Sequence, residues 1–164
     1  MVIHVVQAGE TISEIAERYG VSAERLILDN EVRNPDNLAV GKALVILFPR
    51  VTHTVLEGDT LSEIASMYGT SVIQLLRNNP FLSDREFIYQ GEELVISYMD
   101  EKEGRLSTYG YTYPYINMDT LIKTLPFLTY LTIYSYFFNN EGEVSNLDDA
   151  RVIELAREYR VAPV

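Results

Sequence analysis

The sequence predicts an α+β protein built from two small βααβ modules followed by an incomplete α/β segment. Three observations predict it. Residues 52–79 lie over residues 3–30 at a constant offset of 49, with 13 identities in 28 positions. Each copy reads strand, helix, helix, strand. After Leu106 the pattern changes to strands alternating with helices, which favours parallel βαβ units.

The repeat is carried by specific pairs. His4 falls on His53, Val6 on Val55, Gly9 on Gly58 and Thr11 on Thr60. Ser13-Glu14-Ile15-Ala16 falls on Ser62-Glu63-Ile64-Ala65, Tyr19-Gly20 on Tyr68-Gly69, Ser22 on Ser71, Leu26 on Leu75 and Asn30 on Asn79. One inserted residue shifts the offset to 50, and Gly41, Leu44, Val45 and Ile46 then match Gly91, Leu94, Val95 and Ile96. Self-similarity at a fixed spacing is the mark of a duplicated structural unit.

Within each copy the local chemistry agrees. Ile3–Val6 and His53–Val55 read as short strands. Gly9-Glu10 and Gly58-Asp59 turn the chain. Thr11-Ile12-Ser13-Glu14 and Thr60-Leu61-Ser62-Glu63 both have the spacing of a capping box, in which Thr and Glu satisfy each other's backbone N–H groups. Ile12, Ile15, Ala16 and Tyr19 fall on one helical face. Gly20 and Gly69 fit a helix C-terminus that needs positive φ. Ser22 and Ser71 start a second helix, ending near Asn30 and Asn79. The apolar runs Ala43–Phe48 and Glu93–Tyr98 close each unit as strands, antiparallel to the first, with both helices on one face. His4 and His53 are expected to face solvent.

Composition narrows the function. The chain has 164 residues, with 13 Lys plus Arg against 24 Asp plus Glu, a formal charge of −11. Such a field repels phosphate backbones and anionic bilayers, which argues against nucleic-acid and membrane partners. Without Cys there is no disulfide scaffold and no thiol nucleophile. Two His in separate units make no metal site, and no cofactor motif is present. No apolar run reaches the length of a membrane helix. Residues 1–9 lack the basic and apolar regions of a secretory signal, so none is expected.

The stretch Val55-x-x-Gly58-Asp59-Thr60-Leu61-x-x-Ile64-Ala65-x-x-Tyr68-Gly69, followed by Leu75, Asn79-Pro80, Gly91 and Leu94-x-Ile96, resembles LysM, a module that binds glycans containing N-acetylglucosamine. The resemblance covers residues 2–48 and 51–98. The first copy departs at Glu10, Ile12 and Glu31, so the second is expected to bind at least as well. The family's groove, carried over, places Gly58, Asp59, Thr60 and Leu61 opposite Asn78, Asn79, Pro80, Phe81 and Ile88. In the first copy it places Gly9, Glu10, Thr11 and Ile12 opposite Asp29, Asn30 and Leu38. Turn and capping roles explain the Gly, Asp and Thr positions equally well, and both readings stay open. The implied partner is peptidoglycan or another N-acetylglucosamine glycan. A short link, Phe48-Pro49-Arg50-Val51, would join two similar grooves and favour tandem binding.

Asp100-Glu101-Lys102-Glu103 reads as a solvated linker within residues 99–106. Beyond it, Tyr109, Tyr111, Tyr113 and Tyr115 alternate as a strand ending near Pro114. Asn117 or Asp119 starts a helix through Phe127. Thr129–Phe138 reads as a long buried strand, Asn139–Gly142 as a turn, and Asp148-Asp149 as the start of a helix to about Arg160. Ala162-Pro163-Val164 begins another strand. Tyr111-Thr112-Tyr113-Pro114, Leu125–Leu131, Ile133–Tyr136, Glu141–Val144 and Val161-Ala162-Pro163 resemble the start of the family 18 glycoside hydrolase barrel, in its spore-cortex-lytic branch. Residues 107–164 would then be a truncated, TIM-barrel-like segment.

That resemblance implies an acid motif, Asp-x-x-Asp-x-Asp-x-Glu, which these 164 residues lack. No catalytic residue is therefore assigned. The expectation is a non-catalytic glycan-targeting region of a spore cortex hydrolase, as a fragment or a shortened reading frame. A structural spore-layer protein anchored by the repeats is the alternative. The spore cortex, its coat or the cytoplasm is the expected location. Residues 106–164 are expected to be the weakly folded part, because little else in the chain is available to cover their strand.

Overall fold

The computed structural model describes residues 1–82, 85, 87–99, 104, 106–134, 138–144 and 148–164. The charged stretch 100–103 and residues 135–137 of the expected long strand lie outside the described residues.

Repeat one runs β1 (Val2–Val5), α1 (Ile12–Tyr19), α2 (Ala23–Asp29), β2 (Ala43–Ile46). Repeat two runs β3 (Pro49–Thr54), α3 (Leu61–Met67), α4 (Val72–Asn78), β4 (Glu93–Tyr98), with a 3₁₀ turn at Pro80–Leu82. In each, the two strands pair antiparallel; His4 lies opposite Leu44 and His53 opposite Leu94. The cores use equivalent residues. Val6, Ile15, Leu26, Leu44 and Ile46 fill the first, and Val55, Ile64, Leu75, Leu94 and Ile96 the second. Burying one such side chain stabilises by about 1.5–3 kcal/mol, so five conserve the architecture of each copy.

Helix ends follow the expected chemistry with one difference. Around α1 the reciprocal capping box forms: Thr11 accepts the Glu14 N–H, and the Glu14 carboxylate accepts the Thr11 N–H. At α3, among the described bonds, the Glu63 carboxylate takes the Thr60 hydroxyl, while Thr60 accepts the Glu63 N–H. The second box is thus half built. Gly20 and Gly69 adopt φ of 66° and 63°, which terminates α1 and α3 without Cβ strain.

The third unit runs β5 (Tyr109–Thr112), α5 (Met118–Thr124), a 3₁₀ turn at Leu125–Phe127, β6 (Tyr130–Ile133), α6 (Ala150–Glu158) and β7 (Ala162–Pro163). The three strands form a parallel sheet in chain order. Asn117 caps α5 through its side chain. Asp149 occupies the N-cap of α6 without a side-chain cap bond, so the expected capping role is not formed there. Strand β6 is shorter than the run Thr129–Phe138 suggested. Its Leu131 and Ile133 are buried with Leu121, Leu125, Val152 and Leu155, while Tyr130 and Thr132 on the other face are half-buried.

The units are not independent, which corrects the expectation that each repeat stands on its own core. Tyr159 packs against the core of repeat two and that of the third unit. The Arg77 guanidinium donates to the Pro126 carbonyl across the same junction. The link 48–51 is no tether either. Pro49–Val51 already belongs to β3, and the Met99 N–H bonds the Phe48 carbonyl at 2.9 Å.

Candidate functional site

The turn before each first helix is held by a His, a carboxylate and a Tyr. His53 Nε2 lies 2.8 Å from the Asp59 carboxylate, and His53 Nδ1 lies 3.1 Å from the Tyr68 hydroxyl. His4, Glu10 and Tyr19 repeat this at 2.8 and 3.2 Å. The carboxylate only accepts, so Nε2 carries a hydrogen, and in the neutral ring Nδ1 accepts from the Tyr hydroxyl. The same carboxylates take the backbone N–H of Leu56 and Gln7, both at 2.8 Å. His4 and His53 are therefore buried, not solvent-facing as their strand position suggested. A strand that is exposed elsewhere turns its one polar ring inward because the carboxylate and hydroxyl satisfy both nitrogens.

These bonds set the acidity of the turn. The Gln7 N–H first, then His4, hold the Glu10 carboxyl down at about 2. The Leu56 N–H and His53 hold Asp59 below the usual carboxylate range. Glu10, one methylene longer than Asp59, also reaches Arg18 at 2.6 Å. Asp59 and Glu10 thus face inward, with Gly58, Thr60, Gly9 and Thr11 exposed beside them. Gly9 and Gly58 adopt φ of 84° and 89°, a conformation the turn demands and a side chain resists.

The opposite wall is differently used than its sequence suggested. Asn79 is fully buried. Its amide donates to the Leu75 and Val95 carbonyls, and its oxygen accepts from the Val95 N–H and from Arg25. Asn30 makes the equivalent bonds to Leu26 and Val45. Asn78 is buried too and donates to the Ile96 carbonyl. These side chains tie the second helix to the free side of the last strand, so they position the loop and leave no amide group directed at a ligand. Asp29 is likewise committed, 2.8 Å from Arg25, and burial pushes its carboxyl up. At the following position the copies diverge. Glu31 adopts φ of 46°, which a proline ring forbids, whereas Pro80 opens a 3₁₀ turn.

Arg25 is the residue that sequence reasoning missed. It stands on α2 of repeat one, buried, yet bonds Asn79 Oδ1, the Asn78 carbonyl and the Tyr98 hydroxyl of repeat two. Its Nε is buried without a partner. Nothing in the repeat announces it, because the matching position holds Gln74. The His, carboxylate and Tyr set did carry a signal: the three types recur at separations of 6 and 15 in both copies.

What remains open to a ligand is an apolar strip beside an exposed helix start. In repeat two Leu61, Phe81 and Ile88 are half-buried around Gly58 and Thr60, with Pro80 exposed. In repeat one Ile12 is buried and Leu38 half-buried, leaving less apolar surface exposed. Phe81 has Arg25 and Arg85 over its ring at 5.6 and 5.3 Å. Among the described residues no cluster of His, Asp and Glu could hold a metal, and no helix is long and apolar enough to cross a membrane.

This arrangement matches known proteins. The LysM domain family matches residues 4–47 and 53–97. The "Putative sporulation-specific glycosylase YdhD" of Bacillus subtilis is 28% identical over all of this chain, which spans 39% of that protein. The cortical fragment-lytic enzyme of the same organism is 44% identical over 46 residues, covering 28% of this chain and 11% of its own. In three dimensions, the spore cortex-lytic enzyme SleL of Bacillus cereus superposes on 99% of this chain and 39% of its own, at a TM-score of 0.61 and 24% identity. SleL of Bacillus megaterium gives 0.59 and 24% over 98% and 38%. The superpositions establish a shared fold. The chain spans well under half the length of the proteins it matches along its whole length.

Proposed function

This chain belongs to the LysM domain family, and from that premise we propose that it is a peptidoglycan-binding, targeting region of a spore cortex hydrolase. The observation that carries the reading is the duplicated strip. Two copies of one fold present an exposed Gly–acid–Thr helix start beside apolar side chains, with the acid turned inward. Such a surface suits a ligand that is mostly neutral hydroxyl and acetamide. Backbone N–H groups pair with the amide, and Leu61, Phe81 and Ile88 take the acetyl methyl and a sugar face. Repeat two, with its more open strip, is the stronger binder.

In this reading Gly58, Thr60, Leu61, Pro80, Phe81 and Ile88 contact glycan, with Gly9, Thr11 and Leu38 in repeat one. Asp59 and Glu10 position the turn. Residues 107–164 are the opening strands and helices of a family 18-type barrel, supported by three parallel strands in chain order with α5 and α6 between them. Hydrolysis is the work of residues this segment does not contain. The spore cortex is the place of action.

The test is amide-resolved NMR titration of the full chain with an N-acetylglucosamine pentamer. Shifts at 58–61, 80–81 and 88 at lower ligand concentration than at 9–12 and 38 support the reading. Absence of shifts at millimolar ligand, or shifts confined to β1–β4 strand residues, refutes it.

A further inference from the structure

Where the three units meet, the protein forms a cleft of about 470 Å³ that is separate from either glycan strip. Repeat one supplies Leu28 and Val32 from α2 and the loop after it, repeat two supplies Phe81, and the third unit supplies Phe127. Leu28 and Phe127 are 43% and 42% exposed, unusually open for apolar side chains that face one another across a cleft. Arg33 and Lys123 stand on its rim, against one acid, Glu31. In a chain of net charge −11, a local excess of cations over an apolar wall is against the trend of the whole surface.

The cleft is held open by fixed contacts. Buried Arg25 ties repeat one to Asn79 and Tyr98 of repeat two. Arg77 and Tyr159 tie the third unit to repeat two. Glu31, whose φ of 46° strains the loop, sets the turn that carries Val32 and Arg33 to this edge.

From this geometry we infer that the junction cleft binds the carboxylate-bearing sugar of peptidoglycan, the N-acetylmuramyl unit, while the strips bind its N-acetylglucosamine neighbours. The inference rests on the glycan-binding reading above and deepens it. The apolar wall takes the face of the sugar ring, and Arg33 and Lys123 pair with the lactyl carboxylate. A neutral polymer of N-acetylglucosamine offers nothing to those cations. The cleft would therefore separate peptidoglycan from chitin, which two neutral strips do not.

The test uses the full chain and three probes of equal length: peptide-free strands alternating N-acetylglucosamine and N-acetylmuramic acid, the same strands with their carboxylates methyl-esterified, and chitin oligomers. The native strands are expected to bind about fivefold tighter than the esterified ones at low salt, the scale of two exposed charge pairs, with the margin shrinking at high salt. Arg33→Gln together with Lys123→Gln removes that margin and leaves chitin oligomer binding and the melting temperature unchanged. Phe127→Ser weakens binding of both muramyl strands and leaves chitin oligomers alone. If the wild type binds all three probes equally, or if the double variant loses chitin binding in proportion, the cleft assignment is overturned while the strips stand. If it binds none of them, the glycan-binding reading fails as well.

Discussion

Replacing Asn79 with Ala should damage this protein more than any single change in its exposed glycan strips. The side chain saturates the free edge of β4: it takes the Val95 N–H at 2.8 Å and donates to the Val95 carbonyl at 2.9 Å. It also accepts from Arg25 at 2.9 Å. The Leu75 carbonyl keeps the Asn79 backbone N–H and loses only a second partner. Asn79→Ala thus strands three buried groups, and at about 1 kcal/mol each, the low end for an unsatisfied group, the loss is about 3 kcal/mol. Asn30→Ala strands only the Val45 N–H and carbonyl, in a partly buried place that water reaches, for about 1–2 kcal/mol. On a chain of this size 3 kcal/mol lowers the melting temperature by roughly 6–12 °C. Melts followed by far-ultraviolet circular dichroism and urea titrations of both variants provide the measurement. A loss under 1 kcal/mol for Asn79→Ala, or a larger loss for Asn30→Ala, would refute the reasoning. So would Asn79→Ala with native stability and abolished glycan binding, since that outcome makes the amide a ligand contact.

Acid should unfold the repeats through their turns. The folded Glu10 carboxyl, at about 2, lies below its ordinary 4.5, and Asp59 is also lowered, so this stability is complete above about 4.5 and is lost as pH falls toward 2. Asp29, raised by burial, acts with the opposite sign and softens the fall. Melting temperatures between pH 6 and 2.5 should drop, and Glu10→Gln should flatten part of that slope; a slope unchanged in Glu10→Gln counts against the His4–Glu10 bond. Glu31→Gly should raise stability by about 1 kcal/mol, because glycine occupies φ of 46° without the Cβ penalty; a destabilised variant in urea titration would mean that Glu31 makes a stronger contact than its strain. Gly110→Ala should cost about 1 kcal/mol, read as faster hydrogen exchange in β5 and β6, since its Cβ would meet Leu128 Cδ1 at 2.6 Å and push that side chain aside; unchanged exchange would show that Leu128 yields freely.

Much of the architecture was legible because it depends on local chemistry repeated twice. The 49-residue offset, the Thr–Glu spacing and the positive-φ glycines each act within one turn of chain, and they located both βααβ units. In the third unit, Asn117 and the parallel strands were readable for the same reason. The strip residues Gly58, Thr60, Leu61, Phe81 and Ile88 were also legible, since they follow the helix start and the closing loop.

The remainder was decided by contacts between residues far apart in sequence. His53 reads as an exposed strand residue until Asp59 and Tyr68 close on it from the turn and the helix end. Asn79 reads as a groove residue until the free edge of β4 needs its amide. Arg25 carries no pattern in its own repeat, and its partners are Asn79 and Tyr98 in the other. Tyr159 joins two cores that hydropathy assigns to separate units. Periodicity reports which side of an element is apolar. It does not report where a polar side chain finds its partners, because those bonds exist only once the units have packed.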